Sequence, residues 1–378
     1  MKVESLSLRT VYNSRVEKTV EAEVNGEVAA APSGASTGSH EALCFVPENL
    51  EGVEQDLKEK VEGRDLDQQG FDSALEELDG TGNFSDIGAA AIASSLAFKK
   101  ASGFESTGKY PFPAGNLLGG GEHGGNTSIQ EFLVLPLNAG TVPEAMEILS
   151  NVYHEFQDRY SRRIKGINDE GAYITSFDDE ESLKAVKKVA DEHGASVGVD
   201  VAASEFYEDG EYRYESLGQR LDPGQQVKFV EKITEEYDLV YVEDPFDEED
   251  FDALAEFTGR ISDALVVGDD VFVTQRERLQ RGMELDAGNS IIIKPNQAGT
   301  VSRTRRTVEK AQEEGYLPVV SHRSGETCDP AIADLALELG APLMKAGIAD
   351  IRTAKNNQLL RRWDREGGDM AEVKVLNH

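Results

Sequence analysis

SVGVD (residues 196–200), LVYVE (239–243), LVVGD (265–269), IIIK (291–294), PVVSHRS (318–324) and PLMK (342–345) are six short apolar stretches, each running into polar residues. Their polar ends, Asp200, Glu243, Asp269, Lys294, His322 and Lys345, are separated by 43, 26, 25, 28 and 23 residues. One β-strand with its return helix takes about 25–30 residues, so the polar positions recur once per βα unit. If the strands are parallel, all these side chains emerge at the same end of the sheet, where α/β enzymes carry their chemistry. The helix signals between them agree. Asp222-Pro223 sets a capping residue and a proline at a helix start, and Asp329-Pro330 repeats the pattern; Gly194, Gly315 and Gly340 mark helix ends.

Outward from this region the chain divides in two. Residues 111–378 continue the strand–turn–helix repeat, and this length suits a closed eight-stranded barrel of about 250 residues, with an open doubly wound sheet as the alternative. Residues 1–110 read differently. TVEAEVNGEVAAAPS alternates like a hairpin turning at Asn25-Gly26, and acidic amphipathic segments follow, ending in the alanine-rich IGAAAIASSLAFKKASG. The expected fold class is α/β: an N-terminal α+β capping domain (1–110) and a barrel (111–378).

Composition limits the functions. The 378 residues carry 38 Lys and Arg against 71 Asp and Glu, a formal net charge of −33. Such a surface argues against nucleic acid or an anionic membrane as partner. It suits a protein working in high internal salt, where the Debye length falls to about 3 Å at 1 M. No apolar run approaches a membrane span, and the first residues lack an apolar leader, so a cytoplasmic location is expected. Two cysteines, Cys44 and Cys328, exclude a disulfide framework and a thiolate metal cluster.

Three carboxylates at successive strand ends, Asp200, Glu243 and Asp269, would repel one another unless a cation joined them. A hard divalent ion such as Mg²⁺ prefers these oxygen ligands; the alternative is that each caps its following helix. Lys294 and Lys345 follow apolar runs and are costly to bury charged, so each is a candidate base with a depressed pKa or a side chain reaching for the rim. Arg323 and Ser324, beside His322, suit a phosphate or carboxylate. Two glycine-rich loops, PSGASTG (32–38) with Ser36 and Thr37, and LLGGGEHGG (117–125) with His123, have the character of anion loops or lids, though neither fits the P-loop pattern. Glu131, after Gln130, lies in a strand of mixed pattern running to Leu135 and needs a partner if buried. Glu170 precedes a glycine in a tight turn and is a candidate proton donor.

Together these strings resemble the enolase family. The resemblance rests on PSGASTG, LDGT, IGAAAIASSLA, GGGEHGG with IQEF, DEG, GVDVAASEFY, VEDPFDEEDF, VVGDDVFVT, NSIIIKPNQAGT, SHRSGET and AKNNQLLR, in the family's order along nearly the whole chain. It implies a barrel whose first units depart from simple alternation, and a Mg²⁺-dependent hydro-lyase of glycolysis that interconverts 2-phosphoglycerate and phosphoenolpyruvate. In that reading Asp200, Glu243 and Asp269 bind the first Mg²⁺, and Ser36 reaches a second that arrives with substrate. Lys294 takes the C2 proton, with its pKa depressed by the cations. Glu170 starts protonated and protonates the leaving hydroxyl, supported by Glu131 and Gln130. Lys345 holds the substrate carboxylate, Arg323 and Ser324 the phosphate, with His123 and His322 closing in. Glu21 and Arg352 align with an ion pair across a homodimer interface. The chain departs from the family at NSRVEKT (13–19), where DSRGNPT is usual, and in a shortened segment after the first loop. A diverged paralogue with an altered substrate or a non-catalytic binding role is therefore the alternative.

Overall fold

The computed structural model of the chain describes residues 1–34 and 41–373. The N-terminal part is a three-stranded antiparallel meander, β1 (Leu6–Tyr12), β2 (Lys18–Val24) and β3 (Glu27–Ala30), with helices α1 (Leu50–Val61), α2 (Gln68–Asp79) and α3 (Ala89–Ser102). The β2–β3 turn is the expected Asn25-Gly26, both at positive φ (50° and 89°), the geometry a two-residue hairpin of matched twist demands. Every residue of α3 from Ala89 to Phe98 is buried, which the small alanine and serine side chains permit by letting neighbouring backbones approach closely.

The barrel begins at Phe112. Its strands are β4 (Phe112–Gly119), β5 (Glu131–Leu135), β6 (Ser196–Asp200), β7 (Leu239–Glu243), β8 (Leu265–Gly268), β9 (Ser290–Ile293), β10 (Leu317–Ser321) and β11 (Leu343–Lys345). Each pairs with the next, and β11 pairs with β4, so the sheet closes. Helices α4 (Val142–Tyr160), α5 (Asp179–Glu192), α6 (Pro223–Glu236), α7 (Phe251–Thr258), α8 (Arg276–Glu284), α9 (Val301–Glu313), α10 (Ala331–Leu339) and α11 (Thr353–Glu366) complete the α/β architecture. A closed barrel, not an open sheet, is what the spacing produces.

The strands are not all parallel. β5 runs antiparallel to both β4 and β6. This reversal has a chemical consequence: the first residue of β5, Glu131, pairs in register with the last residue of β6, Asp200. An acid that opens its strand thus reaches the same rim as the acids that close theirs. Between α4 and α5 a short hairpin, Ile164–Ile167 and Tyr173–Thr175, carries the Asn168–Gly171 turn and attaches to β4.

The helix caps follow the sequence with one exception. Asp222 accepts from the Gln225 amide at 2.9 Å and Gln225 returns the bond, a capping box with Pro223 as first helical residue. Pro330 instead sits just outside α10. Asp329 reaches over it to accept from the Ala331 amide at 2.8 Å, because its carboxylate is also tied to Lys100 and the Ala30 amide in the N-terminal domain. There it joins two domains as well as ending a loop.

Candidate active site

At the rim where β6 to β11 end lies a cavity of about 250 Å³, lined by charged and polar groups from both domains. Lys345, the last residue of β11, is its centre. Its Nζ lies 2.8 Å from Asp200 Oδ2, 2.9 Å from Glu243 Oε1 and 3.1 Å from Glu131 Oε1. The lysine is 3% exposed and Glu243 fully buried, so the amine does not reach out to solvent; it is enclosed by acids. Burial favours the neutral amine, but Asp200, Glu131 and Glu243 outweigh it and hold Lys345 protonated far above its ordinary range. Glu243 is itself pushed well up, first by burial and then by Asp200. The Tyr241 hydroxyl donates to it from the same strand.

Lys294 directly follows β9, and its Nζ contacts Asp269, which follows β8. Burial pulls Lys294 down and Asp269 pulls it up; the carboxylate wins, and the pKa is raised. The depression expected from the sequence is one that bound cations would impose, and the ion pair with Asp269 acts in the opposite sense. The physical reason is direct contact with an anion. The same contact outweighs burial at Asp269 and lowers its pKa.

Two carboxylate oxygens in this ring, Asp269 Oδ1 and Glu131 Oε2, are buried without a hydrogen-bond partner among the described residues. Buried acceptors left unpaired are costly. Asp200, Glu243 and Asp269 together offer several oxygens, with one of these orphans among them, which is the hard donor set that suits a divalent cation such as Mg²⁺. Asp244 and Asp270 lie beside them, and one oxygen each from Asp244, Asp269 and Asp270 falls within 4.8 Å of the others. Asp244 is otherwise engaged: it accepts from the amides of Asp269 at 2.9 Å and Asp270 at 2.7 Å, fixing the loop that presents Asp269.

The opposite wall carries the turn-borne groups. Asn116 Nδ2 donates to Glu170 Oε2 at 3.1 Å, and Asn168 Oδ1 accepts from the Glu170 amide at 3.0 Å. His123, in the 3₁₀ turn Gly121–His123, places Nδ1 2.9 Å from Asp169 Oδ1 and Nε2 3.6 Å from Glu170 Oε1. Burial lowers the His123 pKa, but Glu170 and Asp169 dominate and raise it to about 9. Glu131 is raised to about 8, by burial first, with Lys345 opposing and Glu170 and Asp200 adding. Gln130 lines the same cavity.

On the third side the loop after β10 presents His322, Arg323 and Ser324, all buried. Arg323 Nη1 donates to Glu41 Oε2 at 2.8 Å, a bond between the domains. His322 accepts at Nδ1 from Arg352 Nε at 2.8 Å. Ser36 and Thr37 lie outside the described residues.

The structure thus gathers Glu131, Glu170, Asp200, Glu243, Asp269, Lys294, Lys345, His123, Gln130, His322, Arg323 and Ser324 around one cavity. It contradicts one expectation. Arg352 is fully buried inside its own chain, and Glu21 faces Arg9 at 3.5 Å, so Arg352 offers no surface for an ion pair with a partner's glutamate. Sequence reasoning passed over Asp244, Asn116, Asp169 and Glu41, and it placed Arg352 at a dimer interface and not behind His322. Two had a signal: Asn116 is a lone amide in the apolar FPAGNLLG, and Asp244 adjoins Glu243. The contact of Arg352 with His322 had none, since Arg352 opens a helix with an ordinary polar face.

A closed α/β barrel with acids and lysines converging at one rim, capped by an N-terminal α+β domain, defines an enzyme of the acid- and lysine-bearing barrel class. Residues 3–109 match the enolase N-terminal domain, and residues 108–374 match the enolase C-terminal TIM barrel domain. The chain is 44% identical to an enolase from Natronomonas pharaonis, over 95% of this chain and 98% of the relative. It is 42% identical to one from Archaeoglobus fulgidus (96% and 97% covered) and 43% identical to one from Halobacterium salinarum (96% and 99%). The chain belongs to the enolase family; it is an enzyme, a carbon–oxygen lyase of the phosphopyruvate hydratase type.

Proposed function

We propose that the protein interconverts 2-phosphoglycerate and phosphoenolpyruvate with Mg²⁺. The observation that carries this reading is the paired burial of Lys345 among Asp200, Glu243 and Glu131 and of Lys294 against Asp269 at one barrel rim. A proton beside a carboxylate is very weakly acidic, because removing it creates a second negative charge. A site that removes it needs concentrated positive charge and a base held on one side. A divalent cation on Asp200, Glu243 and Asp269, joined by a second that Ser36 would help to hold, would supply charge stabilisation at the substrate carboxylate.

The chain's own groups divide the remaining work. Lys294 is the base at C2; Asp269 holds its proton, so the demands on that carboxylate set when the amine is free to accept. Lys345 stays cationic and orients the substrate carboxylate. Glu170, fixed by Asn116, gives its proton to the departing C3 hydroxyl, with Glu131 and Gln130 behind it and His123 closing over it. Arg323 and Ser324 take the phosphate, with His322 beside them. The phosphorylated acid is small enough for the cavity, and nothing in the reading calls for nucleic acid or membrane; among the described residues no helix is long and apolar enough to cross one. A cytoplasmic homodimer belongs to the same reading, and sedimentation of the purified protein tests the dimer.

The test of the reaction is direct. Purified protein with 2-phosphoglycerate and Mg²⁺ in high salt should generate the ultraviolet absorbance of the conjugated enol, and EDTA should abolish it. A folded protein that produces no enol under these conditions overturns the proposal.

A further inference from the structure

Arg352 is the largest fully buried side chain in the described protein, and it lies one layer behind the phosphate-side loop. It stands in a 3₁₀ turn, Asp350–Arg352, that leads into α11. Its Nε donates to His322 Nδ1 at 2.8 Å, and its Nη2 donates to the carbonyls of Ser324 at 2.9 Å and Arg323 at 3.2 Å. A guanidinium has five N–H donors and no acceptor, and it does not lose its proton in proteins. The nitrogen that faces it must therefore present a lone pair.

We propose that Arg352 is a positioning residue that fixes His322 as the neutral Nε2–H tautomer, so that His322 serves the cavity as a hydrogen-bond donor and not as a proton-transfer group. Three bonds from one planar side chain set both the ring's tautomer and the path of the loop that carries Arg323 and Ser324. The surroundings agree. Beyond burial, the charges acting most strongly on His322 are cations from every side: Arg352 from the turn before α11, Lys345 at the end of β11, Lys294 after β9 and Lys355 in α11. All disfavour the imidazolium, and the pKa of His322 lies well below its ordinary value. His322 and His123 are thus set apart. His123 faces two carboxylates and holds a proton; His322 faces an arginine and does not.

The tautomer does not depend on what reaction the site performs, whereas its use as a donor to substrate rests on the proposed reaction. The experiment separates the two. The chain has six histidines, so ¹⁵N-labelled protein gives a tractable long-range imidazole spectrum, with His322 assigned by its loss in His322→Ala. In the whole protein without substrate, His322 should show an unprotonated Nδ1 and a protonated Nε2, unchanged between about pH 5.5 and 8.5, across the range where free histidine titrates. In Arg352→Met, the fixed tautomer should be lost. The pKa of His322 should rise, still held below the ordinary value by burial and the three remaining lysines, and the pH profile of kcat/KM should gain an acidic limb at the same pKa. Arg352→Lys keeps the cation but cannot make all three bonds. It should keep His322 neutral with mixed tautomers, and its profile should lack the new limb. A wild-type His322 with a protonated Nδ1, or an Arg352→Met protein with tautomer and pH profile unchanged, overturns the proposal, whatever the activity assay shows. A normal tautomer with an inert 2-phosphoglycerate assay would instead count against the reaction and leave the positioning role intact.

Discussion

Lys345 couples stability to chemistry within one side chain. Removing it leaves Asp200, Glu243 and Glu131 buried together without their cation, and breaking a buried ion pair costs about 3–5 kcal/mol. Lys345→Ala should therefore melt well below the wild type in EDTA, and added Mg²⁺ should recover much of the loss by replacing the missing charge. Equal melting points for the two proteins in EDTA would refute the cage. Lys294→Ala should be a milder change to the fold, since this lysine pairs with one acid at the cavity edge. It should abolish exchange of the C2 proton, followed by NMR in D₂O; normal exchange would remove Lys294 from the base role. Glu170→Gln should do the reverse, blocking dehydration while exchange at C2 stays measurable. At this scale the strand-end residues were legible because each polar side chain interrupts an apolar run. The partners that orient them were not. Nothing in the spacing tells that Asn116 donates to Glu170, or that Asp244 pins the Asp269 loop, because those contacts join residues 54 and 25–26 positions apart.

Between elements, the His123 turn is held to the Asn168–Gly171 turn by charge. His123 has a folded pKa of about 9, raised by Glu170 and Asp169 against the pull of burial, above an unfolded value of about 6.5. A raised histidine pKa adds stability in full below the unfolded value, and the contribution is lost as pH climbs through the folded value. The contact should thus strengthen folding at pH 6, weaken from about 6.5 to 9, and be gone above. Comparing wild type with His123→Gln by denaturant unfolding should show a gap on the order of 2 kcal/mol at pH 6 that closes near pH 10. A gap independent of pH would mean that the two turns are joined by packing and not by charge. Element order was readable over the last six strands, where apolar runs and helix caps repeat. It was less so before Asp200. β5 is too short and too uniformly buried to announce its direction, and direction is what brings Glu131 opposite Asp200. A parallel β5 would have carried that acid to the far end of the barrel.

Across the whole molecule, the two domains are clasped by buried and half-buried polar groups. Asp72 of α2, braced within its own domain by Ser95 of α3 at 2.6 Å, accepts from the Ser302 amide at the start of α9 at 2.8 Å; Glu76 meets Arg303 at 2.8 Å; Glu41 meets Arg323. These contacts must persist against a formal charge of −33, spread over a surface where acids outnumber bases. Exposed ion pairs such as Lys184–Glu180 and Arg220–Glu211 contribute only about 0–1 kcal/mol each, and salt weakens them. Salt also screens the unbalanced acids, and the Debye length falls from about 10 Å at 0.1 M to about 3 Å at 1 M. The two effects oppose one another, and the count decides the sign: 71 acidic side chains against 38 basic ones leave far more repulsion to relieve than attraction to lose. The melting temperature should therefore rise steadily from low KCl to molar KCl. Because this is screening of a surface and not occupation of one site, NaCl should act nearly as KCl does, and the gain should persist in Lys345→Ala. A melting temperature that falls with salt, or one that saturates at millimolar concentration, would show that a few specific pairs or a bound ion govern stability, and that the acidic surface is incidental to it.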